Sequence, residues 1–461
     1  MMNELRPYQL EDVERIMQRD TLGVFNEQRT GKTPTSLVAI HLKSQGRIVV
    51  VATASMLYKW AEEARQWTPR NVYIYDGSPK RRDVIFRCYA GDPTGILVIS
   101  YGLFKSTKKY TGLRDKILAT HPKGLIVDEA HRAVGRKTEN FKALRYLNSI
   151  PHRLYLTGTP APNHPAQVWS LLAMIEPQTF TSYWRFVERY FQVEDERLPY
   201  HIAQKAGVST RKAVGDFIPE KRDDYVGLLN HYSIMRKRSE VMPWLPEQEA
   251  PTRIKLPLTP AQTKYLKELS TYYETEHVIT QGTLDQLLRL RQVCLAPRLL
   301  GLKGTSPKLD WLGEYLRDYP ERSVVVFSRF TQFLTMAEQE LGGGVGVISG
   351  NVSPSDRNVL IKQFQEGMLK VLLIQIDAGK EGITLDNADT LVFTDTYPPA
   401  SDILQARDRI VATSPERVKP TEIIELMMAD SYDEVLYDLV EQRISLTDVA
   451  NNYINYLKGV E

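Results

Sequence analysis

The chain has 461 residues, 42% hydrophobic and 25% charged, the composition of a globular protein long enough for about three units. A net charge of +3 does not demand a nucleic-acid partner, although a local basic track is compatible with one. Two cysteines, Cys88 and Cys294, with no Cys-x-x-Cys spacing, argue against a disulfide framework or a zinc site and point to a reducing compartment.

In chain order, Leu22–Phe25 reads as a short buried strand and Pro34 to Lys43 as a helix, with Pro34 tolerated in its first turn. Between them lies Asn26-Glu27-Gln28-Arg29-Thr30-Gly31-Lys32-Thr33. Strand, loop and helix N-terminus form the context of a phosphate-binding loop, in which backbone amides and the positive helix end face phosphate groups. Lys32 is then placed for the β/γ-phosphates of a nucleotide and the Thr33 hydroxyl for Mg²⁺. The pattern G-x-x-x-x-G-K-[ST] wants a small residue at position 26. Asn26 stands there and is expected to tolerate left-handed backbone angles.

Further apolar runs, Ile48–Thr53, Ile96–Ser100, Gly124–Asp128 and Leu154–Thr157, alternate with helical patterns, which predicts a parallel, doubly wound sheet. Ile48–Ala54 is too short to cross a bilayer, and the first six residues lack a signal peptide's apolar core. A cytoplasmic, non-membrane protein is expected. Leu125-Ile126-Val127-Asp128-Glu129-Ala130-His131 delivers two adjacent carboxylates at a strand's C-terminal end, where open α/β sheets bind ligands. Asp128 is placed to hold Mg²⁺ through its water shell, and Glu129 to orient and deprotonate an attacking water.

Residues 176–305 lose the strand signal. Aromatics crowd Phe180 to Phe191, and Pro243, Pro246, Pro251, Pro257 and Pro260 mark a connector, so helical insertions are predicted here. From Ser306 the alternation returns, with candidate strands Val324–Ser328, Val345–Ser349, Val371–Ile376 and Leu391–Asp395, and a helical tail from Tyr432 to Leu457. The expected domains are an α/β lobe at 1–175, helical protrusions and linker at 176–305, and a second α/β lobe with C-terminal helices at 306–461.

With Gly31-Lys32-Thr33 and the Asp-Glu-Ala-His of 128–131, the chain resembles superfamily-two nucleic-acid-dependent ATPases of the DEAH-box kind, and among them the Swi/Snf-type DNA translocases. Leu5-Arg6-Pro7-Tyr8-Gln9 is similar to that family's adenine-recognising motif, with Gln9 suited to pair with adenine. Leu156-Thr157-Gly158-Thr159-Pro160, followed by Trp169-Ser170-Leu171-Leu172, resembles its third motif. Met235-Arg236-Lys237-Arg238 and Leu290-Arg291-Gln292-Val293-Cys294 resemble elements of its two helical protrusions. In the second half Val325–Phe330 resembles motif four, Gln375–Leu385 motif five (with Lys380 in place of a glycine), and Gln405-Ala406-Arg407-Asp408-Arg409 the start of motif six.

The resemblance implies an α/β protein of two RecA-like lobes with helical insertions, using ATP and Mg²⁺. It implies nucleotide contacts at Gln9, Thr30, Gly31, Lys32, Thr33, Asp128 and Gly382, and catalytic roles for Lys32, Glu129 and the arginine finger Arg409. His131, Thr157, Thr159 and Gln405 would couple the nucleotide to DNA. Lys59 with Trp60, Lys105, Lys108, Arg236 and Ser328 are candidate DNA contacts, on duplex or branched DNA. Motif six carries a second arginine three residues after Arg409, where this chain has Ala412. Expected is therefore a monomeric double-stranded DNA translocase of bacterial or phage origin, acting in replication, recombination or branch migration. A strand-separating helicase and an attenuated ATP- and DNA-binding clamp are the alternatives.

Overall fold

The computed structural model describes residues 4–104, 112–161, 164–197, 210–244, 250–272, 283–379, 387–395 and 421–437, with isolated positions 275, 278, 385, 403, 406 and 407. The chain divides into two compact units that part between Val241 and Met242.

Among the described residues, the first unit is built on a seven-stranded sheet. Its strands are β1 (Thr21–Val24), β2 (Ile48–Ala52), β3 (Val72–Tyr75), β4 (Ile96–Ser100), β5 (Gly124–Val127), β6 (His152–Leu156) and β9 (Ser233–Ile234). The order across the sheet is β3-β4-β2-β5-β6-β1-β9, and every pairing is parallel. Both faces are covered, as the unbroken apolar runs require. Val49, Val51, Leu97, Ile99, Leu125 and Val127 enter one core, while their neighbours Ile48, Val50, Ile96, Val98 and Ile126 enter the other. This period of two places the sheet in the middle layer and leaves only the strand ends open.

The second unit repeats the architecture. Six parallel strands, counted among the described residues, run in the order β10-β15-β14-β11-β13-β12. They are β10 (Thr252–Leu256), β11 (Val324–Ser328), β12 (Val345–Ile348), β13 (Val371–Gln375), β14 (Thr390–Phe393) and β15 (Glu422–Met428). Val325, Phe327, Leu372 and Ile374 face one core, and Val324, Val326, Val371 and Leu373 the other.

The segment 176–305 carries helices such as Pro260–Tyr272 and Thr283–Leu295, and also strands that the sequence reading did not anticipate. β7 (Phe191–Arg197) and β8 (Thr210–Phe217) form an antiparallel pair in which Asp195 stands opposite Lys212. Apolar and polar cross-strand neighbours mix here, with Phe191 opposite Phe217 and Val193 opposite Val214, so no continuous apolar run marks the strands. The aromatics foreseen here form one cluster: Phe191 packs 4.5 Å from Phe217 and Tyr190 5.3 Å from Tyr225, whose hydroxyl donates to the Pro165 carbonyl at 2.8 Å. The tail is helical at 432–437, and the remainder of the expected helix lies outside the described residues. No helix among the described residues is long and apolar enough to cross a membrane.

Candidate nucleotide site

β5, β6 and β1 lie side by side, so the segments leaving their C-terminal ends are neighbours. β1 runs into the glycine-lysine-threonine loop, β5 into Asp128-Glu129, and β6 into Thr157-Gly158-Thr159. Close approach shows at Gly158, where an added Cβ would stand 3.0 Å from Gln28 Cγ of the first loop.

The loop delivers its chain to helix α2 (Lys32–Lys43), capped by Gly31 at φ +76°. A Cβ on Gly31 would meet Gln9 Nε2 at 2.1 Å, so both the backbone angle and the space demand glycine. The other left-handed position is Arg29, at φ +65°; Asn26, expected to take such angles, does not. Lys32 Nζ donates to the Asn26 and Glu27 carbonyls at 2.8 and 2.9 Å. Thr30 is buried and its hydroxyl donates to the Glu27 carbonyl at 2.8 Å. Thr33 sits in the first turn of α2.

Gln9, expected to read adenine, is occupied inside the protein. It lies in helix α1 (Pro7–Met17). Its Oε1 accepts from the Arg6 amide at 2.8 Å, and its Nε2 donates to the Thr30 and Gly31 carbonyls at 3.4 and 3.3 Å. Tyr8 Oη adds a bond to the Thr30 carbonyl at 2.8 Å. The α1 N-terminus thus braces the phosphate loop.

At the end of β5 the Asp128 amide still donates to Val51, extending the ladder to a half-buried carboxylate. Its Oδ2 accepts from the Trp60 indole at 2.7 Å and its Oδ1 from the Glu129 amide at 2.9 Å. Glu129 has φ +46°, an uncommon conformation for a residue with a side chain, and the Tyr101 hydroxyl holds the Asp128 carbonyl at 2.7 Å. Burial first, and the neighbouring Glu129 next, push the Asp128 carboxyl up to about 6, against the pull of Trp60, the Glu129 amide and Lys32. A hard-oxygen site whose carboxylate is discouraged from ionising alone suits a divalent cation.

His131 ties the strand ends together. Its Nδ1 lies 3.2 Å from Glu129 Oε2 and 3.1 Å from Thr157 Oγ1, which in turn accepts from the Thr159 amide at 3.0 Å. Thr159 Oγ1 is buried with no hydrogen-bond partner among the described residues.

The expected DNA contacts fare unevenly. Lys59 is exposed on helix α3 (Leu57–Trp67). Trp60 beside it turns inward, is buried and serves Asp128. Ser328 is buried in the second unit, with its hydroxyl donating to Asp395. Arg236 directs its guanidinium to Asp12 and Glu11, at 2.8 and 2.9 Å. Lys105, Lys108, Gly382, Gln405, Arg409 and Ala412 lie outside the described residues. Trp60, expected only as a DNA contact, and Tyr101 are contributors to the Asp128 end that the sequence reading did not assign. Tyr101 directly follows the buried strand β4, the one local signal that could have pointed to it, whereas Trp60 lies eight residues beyond β2.

A model of the SNF2-related domain matches residues 9–299, and one of the helicase conserved C-terminal domain matches residues 307–412. The chromodomain-helicase-DNA-binding protein 1-like of Danio rerio is 26% identical over 97% of this chain and 44% of its own length. The ATP-dependent DNA helicase DDM1 of Arabidopsis thaliana is 27% identical over 97% of this chain and 62% of its own length. The chain therefore spans about half the length of these curated relatives. A solved structure, the Sulfolobus solfataricus SWI2/SNF2 ATPase core in complex with dsDNA, aligns over 100% of this chain and 96% of its own at 19% identity, with a TM-score of 0.42. The SNF2-related match covers well over half of the residues and the helicase C-terminal match follows it in sequence, so the chain belongs to the SNF2-related family and has the two-part, Swi2/Snf2-type architecture of the superfamily-two ATPases.

Proposed function

We propose that the chain is an ATP hydrolase that translocates on double-stranded DNA. The observation that carries this reading is the row of three adjacent strand ends, β1, β5 and β6, with Lys32 and Thr33 on the first, Asp128 and Glu129 on the second, and Thr157 and Thr159 on the third. Amides at the start of α2 bind phosphate, and Lys32 supplies the point charge. Thr33 and Asp128 would hold Mg²⁺, which when bound neutralises charge on the β- and γ-phosphates. Glu129 takes the proton from the attacking water, Trp60 fixes the Asp128 carboxylate, and Tyr101 holds the backbone that carries both acids. The path from Glu129 through His131 to Thr157 and Thr159 supports a coupling role for these residues.

From the second unit, Arg409 would be the arginine finger, with Gly382 at the nucleotide and Gln405 in coupling, and the lobes would divide near 175 and 306. Lys59, Lys105 and Lys108 are the basic candidates for the phosphate track, which positions DNA without reading its sequence. Duplex or branched DNA handled by a monomer in replication, recombination or branch migration is the role proposed, with strand separation as the variant reading. Ala412 favours a second reading, a clamp that binds ATP and DNA and cleaves slowly. Ala412→Arg then raises turnover at least tenfold, a barrier change of about 1.4 kcal/mol.

ATPase rates on single-stranded, duplex, forked and four-way-junction DNA test the proposal. Stimulation by duplex or junction, with affinity falling as salt rises, is the expected outcome. Stimulation by single strands alone, or loss of turnover dependence on Lys32, would sink it.

A further inference from the structure

Position 26, where phosphate loops carry a small residue, holds a buried asparagine that is tied down from behind. Asn26 Nδ2 donates to Asp12 Oδ2 at 2.7 Å, and Asp12, on α1, is wholly buried. The other oxygen of Asp12 accepts from Arg236 Nε at 2.8 Å, while Arg236 Nη2 reaches Glu11 at 2.9 Å. A carboxylate with no solvent is stable only if its charge and lone pairs are met, and here Arg236 and Asn26 meet them. Burial pushes the Asp12 carboxyl up, and the bonds from Arg236 and Asn26 oppose it.

The backbone supplies a second, independent line. β9 does not stop beside β1; its continuation runs on along the phosphate loop. The Phe25 amide donates to the Ile234 carbonyl at 2.8 Å and the Glu27 amide to the Arg236 carbonyl at 3.0 Å. The Arg238 amide donates to Glu27 Oε2 at 2.8 Å. Asn26 and Glu27 are also the residues whose carbonyls hold Lys32 Nζ. The segment 234–238 therefore grips the front of the loop on which the phosphate-binding lysine depends.

We infer that Arg236 is a positioning residue of the phosphate-binding loop, acting through Asp12 on Asn26 and through its own carbonyl on Glu27, and is not a DNA contact. This rests on the nucleotide reading above. The guanidinium fork spans two carboxylates on consecutive residues of α1, a geometry that a lysine ammonium cannot reproduce in full. The same segment leads within a few residues to the boundary at Val241 and Met242, so the chain that leaves the first unit does so by way of the phosphate loop.

The test is steady-state kinetics with ATP, titration with the fluorescent analogue mant-ATP, and duplex binding across a salt series. Arg236→Gln is expected to raise KM for ATP and the mant-ATP dissociation constant at least tenfold, with kcat within about threefold of wild type. DNA affinity and its salt slope stay as in wild type. Arg236→Lys falls between the two. Asn26→Ala, which leaves the Asp12–Arg236 pair intact, keeps the proposal testable if Arg236→Gln does not fold, and gives the same KM rise. Weakened DNA binding with a flatter salt slope and an unchanged KM overturns the inference. Equal losses of ATP and DNA binding in a protein of lowered melting temperature mark a merely structural role and also overturn it. Lys32→Ala is run in parallel: if it keeps wild-type turnover, the nucleotide reading itself fails, whereas loss of turnover there with unchanged KM in both Arg236→Gln and Asn26→Ala overturns the positioning role alone.

Discussion

Among the described residues, the buried carboxylates of the second unit (Asp395, Glu425 and Asp433) each meet a base within that unit, whereas the carboxylate at the end of β5 in the first unit takes its hydrogen bonds from neutral groups. Asp433 accepts from Lys308, Asp395 lies 3.5 Å from Arg291, and Glu425 is bonded by both Arg253 and Arg407. Asp128, by contrast, is met by an indole and a backbone amide. Its ionisation is discouraged by burial and by Glu129, and under the proposed function its charge would be met by a cation from outside. The end of β5 thus differs from the interior of the second unit, and also from Asp12 in its own unit, which is paired with Arg236.

The sharpest way to break this contrast is to remove one built-in partner. Lys308 is fully buried, and its ammonium donates to the Thr394 carbonyl at 2.8 Å as well as to Asp433. Lys308→Met leaves Asp433 charged and enclosed and should cost about 3–5 kcal/mol in chemical denaturation, while Lys308→Met with Asp433→Leu should recover most of the loss. A single substitution that costs under about 1 kcal/mol would show that the pair is not sealed.

In the first unit the corresponding change should spare stability and strike function. Glu129→Gln is expected to slow ATP hydrolysis at least a hundredfold, about 2.7 kcal/mol of barrier, with mant-ATP affinity retained. If affinity collapses together with rate, Glu129 holds the loop and is no base. The same substitution should not lower the melting temperature. It removes one of two adjacent like charges, and a gain of roughly 0.5 kcal/mol is the expected scale. Magnesium with a non-hydrolysable ATP analogue should stabilise wild type and fail to stabilise Asp128→Asn, as ligand linkage requires. Equal stabilisation of both would take Asp128 out of the metal site.

The contrast also marks what the sequence could and could not say. Central strands such as Ile48–Ala52 and Val324–Ser328 were legible because burial on both faces demands continuous β-branched residues. β15 was missed because Glu422-Ile423-Ile424-Glu425-Leu426-Met427-Met428 is rich in good helix formers; the ladders to β10 and β14, the burial of its apolar residues and the pairing of Glu425 with Arg253 and Arg407 are long-range terms that override that propensity. Lys32, Asp128 and Glu129 were legible because local spacing alone puts them at strand ends. The partners that Trp60 and Arg236 meet, Asp128 and Asp12, were not legible because they lie 68 and 224 residues away, and no local pattern reports a contact of that kind. A basic or aromatic side chain read without its partner looks like a surface group.

The smallest expected effect concerns the thiols and asks whether the second interior is closed at all. Cys294 is buried in the helix Thr283–Leu295, and burial first, with Asp433 next, pushes its thiol up to about 12, while Lys308 draws it down. For a group with a raised folded-state value, the favoured form is the protonated one. That contribution to stability is complete below the ordinary value of 9.0 and is lost as pH rises through about 12. At pH 8.5 the native protein should therefore show one thiol reacting rapidly with DTNB, the exposed Cys88, and two after denaturation. Slow reaction at Cys294 then reports opening of the second unit, and Lys308→Met should speed it in proportion to the stability lost. Should Cys294 react in the native protein as fast as Cys88, the interior that holds Lys308 and Asp433 is open to solvent. Those charges would then need no built-in partners, and the contrast between the two units would rest on Asp128 alone.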